Sequence, residues 1–184
     1  FKSSPRYQSL KNFVGQLPFF CIKNMLKRDI ENIVRPVIND NDCFLWGIEI
    51  LRGKKNTTLR IFIDSENGVD INDCENISID LNYEPSLDLN LGENYILEVS
   101  TPGIDRKFFE IGQLNDYIGQ DLLLKSKELH NGKRNFSGTL SKCYEDILSL
   151  KIENKTLNFN FNDIDLCKLK PNFKKLMKGN NYAK

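Results

Sequence analysis

The chain predicts an α+β fold in two parts, an αββαβ unit followed by a small β-barrel. Apolar residues recur at helical spacing only in the first half, as in Ile22, Met25, Leu26, Ile30, Ile33, Val34, Val37 and Ile38. From Asp121 onward the sequence breaks instead into short alternating segments divided by turn-forming pairs. Between the halves, Pro102-Gly103 marks a rigid corner, since Pro presets the first turn dihedral and Gly supplies a positive φ at the second.

Each element follows from local chemistry. The first helix covers Ile22 to Ile38 and ends in the turn formers Asn39-Asp40-Asn41-Asp42, with Pro36 weakening its last turn. Phe44, Trp46, Ile48 and Ile50 then alternate at period two, and after a basic turn from Arg52 to Asn56 so do Leu59, Ile61 and Ile63, which makes a hairpin. Asp64 to Gly68 turns the chain, and Asp70 caps a second helix whose inner face is Cys74, Ile77 and Leu81 and which ends before Pro85. Tyr95, Leu97 and Val99 alternate with Ile96, Glu98 and Ser100 to give the third strand. Strand, helix, strand implies a right-handed crossover with parallel strands, so two helices should cover one face of a three-stranded sheet.

After the corner, Gln113 to Ile118 reads as one helical turn stopped by Gly119. Asn131-Gly132, Glu145-Asp146, Glu153-Asn154 and Asn162-Asp163 then separate five short strands, the pattern of a small closed barrel. The division expected is an extension over 1–21, the αββαβ domain over 22–100, a junction with a short helix over 101–119, the barrel over 120–173 and a basic, mobile tail over 174–184.

Four stretches, in order, carry a resemblance: LRGKKNTTLRIFIDSENGVDINDCENIS from Leu51 to Ser78, YILEVSTPGIDR from Tyr95 to Arg106, NGKRNFSGTL from Asn131 to Leu140, and DIDLCKLKPNF from Asp163 to Phe173. Together they resemble the bacterial ribosome maturation factor RimP family, in which a run close to Leu97–Arg106 lies near the junction of two domains. The resemblance implies a KH-like first domain and an SH3-like or Sm-like barrel after it. It also implies a cytoplasmic assembly factor, without enzymatic activity or cofactor, that binds immature small ribosomal subunits through ribosomal RNA and a small-subunit ribosomal protein and leaves before translation.

Composition agrees with a globular protein. At 184 residues and 40% hydrophobic content the chain can bury a core without covalent staples. Its five Cys (21, 43, 74, 143 and 167) are odd in number, widely spaced and without a CxxC pair, which argues for reduced, packed thiols and against a disulfide framework or a zinc site. The early apolar run Leu17–Ile22 is too short for a signal-peptide core or a membrane span. A single His, and no GxGxxG, GxxxxGK[ST] or HExxH, remove the usual marks of triad, nucleotide and metal chemistry. Asp64, Glu66, Asp70 and Glu75 have the spacing of a calcium loop, but Val69 stands where that loop needs Gly; a turn with acids at a helix N-terminus explains them better.

Charge is segregated although the net is only +1. Residues 1–60 carry eleven Lys or Arg against five acids, 61–105 carry eleven acids and no Lys or Arg, and 106–184 carry fifteen basic residues against nine acids. The cations at hairpin tips, Arg52, Lys54, Lys55, Lys133 and Arg134, are candidates for RNA phosphate, as are Arg106 and Lys107 after the corner. Asp73, Glu75, Asp80 and Glu84 are candidates for a basic ribosomal protein, since such a surface repels phosphate. Glu98, Pro102, Gly103, Asp105 and Arg106 form a structural set at the junction, where Arg106 would pair with Asp105 or Glu98. The chain lacks GxxG and any RNP1-like aromatic strand, so binding by shape and charge is expected. The protein should be a monomer with no membrane association. Rival readings are an Sm-like general RNA chaperone that oligomerises through its edge strands, which the acidic first domain disfavours, and an RNA-modifying enzyme built around Glu98, Asp105 and Arg106.

Overall fold

A computed structural model describes residues 19–171 apart from Glu93 and Asn131, with side chains from Met25 onward. The side chain of Cys21, the Lys-rich tail and most of the extension lie outside what is described. The fold is α+β with two sheets, and the chain divides into two units, Phe1–Thr101 and Pro102–Lys184.

The first unit is built on a sheet ordered β1-β2-β3, with β1 at Phe44–Arg52, β2 at Thr57–Asp64 and β3 at Tyr95–Ser100. β1 and β2 are antiparallel, and β2 and β3 are parallel as the crossover requires. The row Ile50, Leu59 and Leu97 and the row Ile48, Ile61 and Val99 put apolar side chains on one face, where the core cluster lies. The alternation of β1 departs from the sequence reading at its start. A bulge between Leu45 and Gly47 inserts one residue, so Leu45 joins the core while Phe44 is exposed. Trp46 is buried outside that core cluster.

Helix α1, Phe19–Asp40, starts earlier and ends later than the periodicity indicates, and it runs through Pro36. An interior Pro costs about 3 kcal/mol. Ile30, Val34 and Ile38 are each completely buried by the helix, and each contributes roughly 2 kcal/mol of apolar burial, which offsets that cost. α2, Ile71–Asn82, buries Cys74, Ile77 and Leu81 as expected and stops before Pro85. A further short helix, α3 at Pro85–Leu91, was not foreseen. Pro85 stands at its first position, where the missing N–H would be unpartnered anyway, and Leu87 anchors it in the core.

The second unit holds β4 (Asp121–His130), β5 (Lys133–Tyr144), β6 (Ile147–Ile152), β7 (Lys155–Asn160) and β8 (Ile164–Leu169) in the order β7-β6-β5-β4-β8. All neighbours are antiparallel. The closed barrel anticipated from the strand spacing is not formed, because β7 and β8 do not pair among the described residues. The edge of β8 away from β4 is taken by Arg106–Phe108: Phe108 N–H donates to Cys167 O at 2.9 Å and Leu169 N–H to Arg106 O at 2.9 Å. β5 is twice as long as β6, with twelve residues against six, and its first half pairs only with β4. Gly138 lies where the two pairings meet, since a Cβ there would stand 2.6 Å from Lys151 O. A 3-10 stretch, Ile111–Tyr117, buries Leu114, and Gly119 beyond it has φ +88°. No helix among the described residues is long and apolar enough to cross a membrane.

Candidate nucleic-acid interface

The tip of the β1–β2 hairpin is made of lysine. Gly53 N–H donates to Asn56 O at 3.0 Å, so Lys54 and Lys55 form the two-residue bend. A Cβ on Gly53 would lie 2.8 Å from that same oxygen, which is why the position before the lysines has no side chain. Both lysines are exposed and make no ion pair among the described residues. Arg52 is exposed at the end of β1.

In the second unit, Lys133 pairs in register with His130 across residues 131 and 132, and Gly132 takes φ +76°. Lys133 and Arg134 are exposed and likewise without an ion pair among the described residues. Sequence reasoning overlooked Lys155, which opens β7 opposite Ile152 and has the same exposed, unpaired character. It follows the Glu153-Asn154 turn directly, so the rule that selected Lys133 also selects it.

By contrast, Lys125 is bound to Asp165 at 2.7 Å and Lys127 Nζ donates to Asn162 O at 2.5 Å. Lys125 holds the Asp165 carboxyl below its ordinary range, first through their hydrogen bond.

The corner residues serve their own units. Glu98 accepts from Arg60 Nε at 2.6 Å, and Arg60 reaches Glu49 at 3.5 Å, so the polar face of the first sheet carries an acid-base-acid row across its three strands. Asp105 accepts from Lys168 Nζ at 3.1 Å on β8. Arg106 stands over the Tyr117 ring at 5.7 Å and Lys107 over the Phe109 ring at 5.4 Å, both half-buried. Pro102 is half-buried and Gly103 has φ +71°, but the turn falls one step later, on Ile104 and Asp105, where Asp105 meets Lys168.

The acids of α2 divide by what they already do. Asp70 caps the helix by accepting from the N–H groups of Asn72 and Asp73 at 2.7 and 3.0 Å, and Asp70 N–H in turn donates to the Asp73 carboxylate at 2.9 Å. The Asp73 amide first, then that of Asn72, holds the Asp70 carboxyl below its ordinary range. Asp80 accepts from Asn41 Nδ2 at 3.0 Å. Glu75 is exposed, and Glu84 precedes α3 without a side-chain capping bond. Around Glu75 the outer ridge of α2 also presents Ile71, Ile79 and Tyr83, of which Ile71 and Tyr83 are 78% and 81% exposed.

The described thiols are free, with Cys43, Cys74 and Cys167 buried and Cys143 half-buried. Among the described residues no group of His, Cys, Asp or Glu could hold a metal ion. Residues 33–105 match a family model described as the RimP N-terminal domain. The match runs from within α1 to the corner after β3 and takes in the lysine tip and the acids of α2.

Proposed function

We propose, from the match of residues 33–105 to the RimP N-terminal domain, that this chain is a member of the RimP family and a ribosome maturation factor acting on immature small ribosomal subunits. The single observation that carries the reading is the match over residues 33–105. In this reading the first unit is the KH-like domain, the second an SH3-like or Sm-like unit, and the protein works in the cytoplasm as a monomer by binding, without catalysis. Lys54, Lys55, Lys133 and Arg134 contact phosphates of ribosomal RNA, aided by Arg52, Arg106 and Lys107. The exposed state of the first four, without an ion pair among the described residues, supports this, since no carboxylate described here has to be released first.

The acidic side meets a basic small-subunit ribosomal protein. Glu75 flanked by Ile71, Ile79 and Tyr83 supports that assignment, because it offers both a negative charge and apolar contact. Asp80 and Glu84 extend the same negative field, and Asp73 adds to it while capping the helix. Coverage of the β8 edge by Arg106–Phe108 removes one edge through which an Sm-like chaperone would assemble. Cells depleted of the protein should accumulate precursor small subunits, and the wild-type chain should restore them. Normal subunit profiles after complete depletion would contradict the proposal.

A further inference from the structure

The second unit contains an open cleft of about 480 Å³. It lies beside the first half of β5, which extends past the end of β6, and its lining includes His130, Lys133, Phe136, Lys155, Asn158 and Phe159. Three rings meet there from three strands. Phe136 and Phe159 are 4.9 Å apart, and His130 packs edge-on to Phe159 at 5.3 Å and to Phe136 at 6.1 Å. Phe159 is buried, Phe136 half-buried and His130 exposed, so the cluster has a fixed base and an accessible top.

We infer that this cleft binds one base of single-stranded RNA, stacked against His130 and Phe136, with its flanking phosphates held by Lys133 and Lys155. An aromatic platform beside two exposed cations, neither ion-paired among the described residues, matches a nucleotide, which is an aromatic plane joined to an anion. Asn158, next to Phe159 on β7, projects from the opposite face, where its Oδ1 accepts from Ser149 Oγ at 2.8 Å, so the stacking platform carries no base preference from it. The inference rests on the geometry of the second unit and holds whether or not the RNA is ribosomal.

Fluorescence anisotropy of the full chain with labelled U8, C8 and A8 ribo-oligomers tests it. All three oligomers should bind, since every base offers a ring face for stacking. H130A should weaken U8 about tenfold, consistent with the loss of one stacking contact. K133A/K155A should weaken all oligomers alike and lower the salt slope by about 1.4, at about 0.7 per single-strand phosphate contact. His130, Lys133 and Lys155 are exposed, so circular dichroism should show these variants folded. Variants that are folded yet bind U8 as the wild type does would overturn the cleft assignment. So would the absence of oligomer binding, or a proline-rich peptide in place of RNA shifting the amide NMR signals of these residues.

Discussion

Cys167 shows how one buried group makes stability depend on pH. It is 1% exposed on β8, and burial first, then proximity to Cys143, pushes its thiol up to about 12. An unfolded thiol titrates near about 8.5. The folded state therefore holds the proton over a window in which the unfolded state has lost it. The stability that this contributes is complete below the unfolded value and is lost as pH rises toward about 12. In urea titrations above about pH 9, the wild type should lose about 1.4 kcal/mol per pH unit more than C167A does. Parallel slopes would mean that the thiol ionises alike in both states. Gly138 offers a second test, since a Cβ there meets Lys151 O at 2.6 Å and Ile152 Cγ1 at 2.7 Å. Gly138→Ala should lower the urea-derived stability by roughly 1–3 kcal/mol, because a backbone oxygen has to move. An unchanged midpoint would mean that the two strand pairings tolerate more separation than the geometry implies.

At the scale of elements, hairpin tips and helix ends decide which charges are available to a partner. Replacing Lys54, Lys55, Lys133 and Arg134 together by Ala should lower the salt slope of RNA binding by about 3, at about 0.7 to 0.9 per phosphate contact, without changing sequence preference. An unchanged slope would make these ordinary solvated turns. On α2 the acids should separate. E75K/E84K should keep the fold and slow association with basic ribosomal proteins at low salt, whereas Asp73→Lys should lower the melting temperature because it breaks the capping box. Equal association rates at low salt, with the fold intact, would leave solubility as the role of Glu75 and Glu84.

These elements were unevenly legible. The tips could be read because turn chemistry is local: Asn131-Gly132 and Arg52–Asn56 announce themselves. The bulge at Trp46, the β8 edge taken by Arg106–Phe108 and the meeting of His130, Phe136 and Phe159 depend on pairings between distant segments, which no local pattern encodes. α1 continues through Pro36 for a tertiary reason, the burial of Val34 and Ile38 on either side of it.

For the whole molecule, the boundary at Thr101/Pro102 differs in consequence from a cut at Arg106. A fragment starting at Arg106 lacks Asp105, which binds Lys168, and frays the segment that covers β8. Fragments 1–101 and 102–173 should each give dispersed proton NMR spectra, and the second should be more stable to urea than 106–173. Two unfolded fragments would show that neither unit is autonomous. On the proposed function, this chain acts on small ribosomal subunits before they are complete. In sucrose gradients the purified full chain should migrate with the precursor small subunit, less so as salt rises, and stay at the top of the gradient with mature ribosomes. Equal migration with both particles, or with neither, would overturn the proposed function.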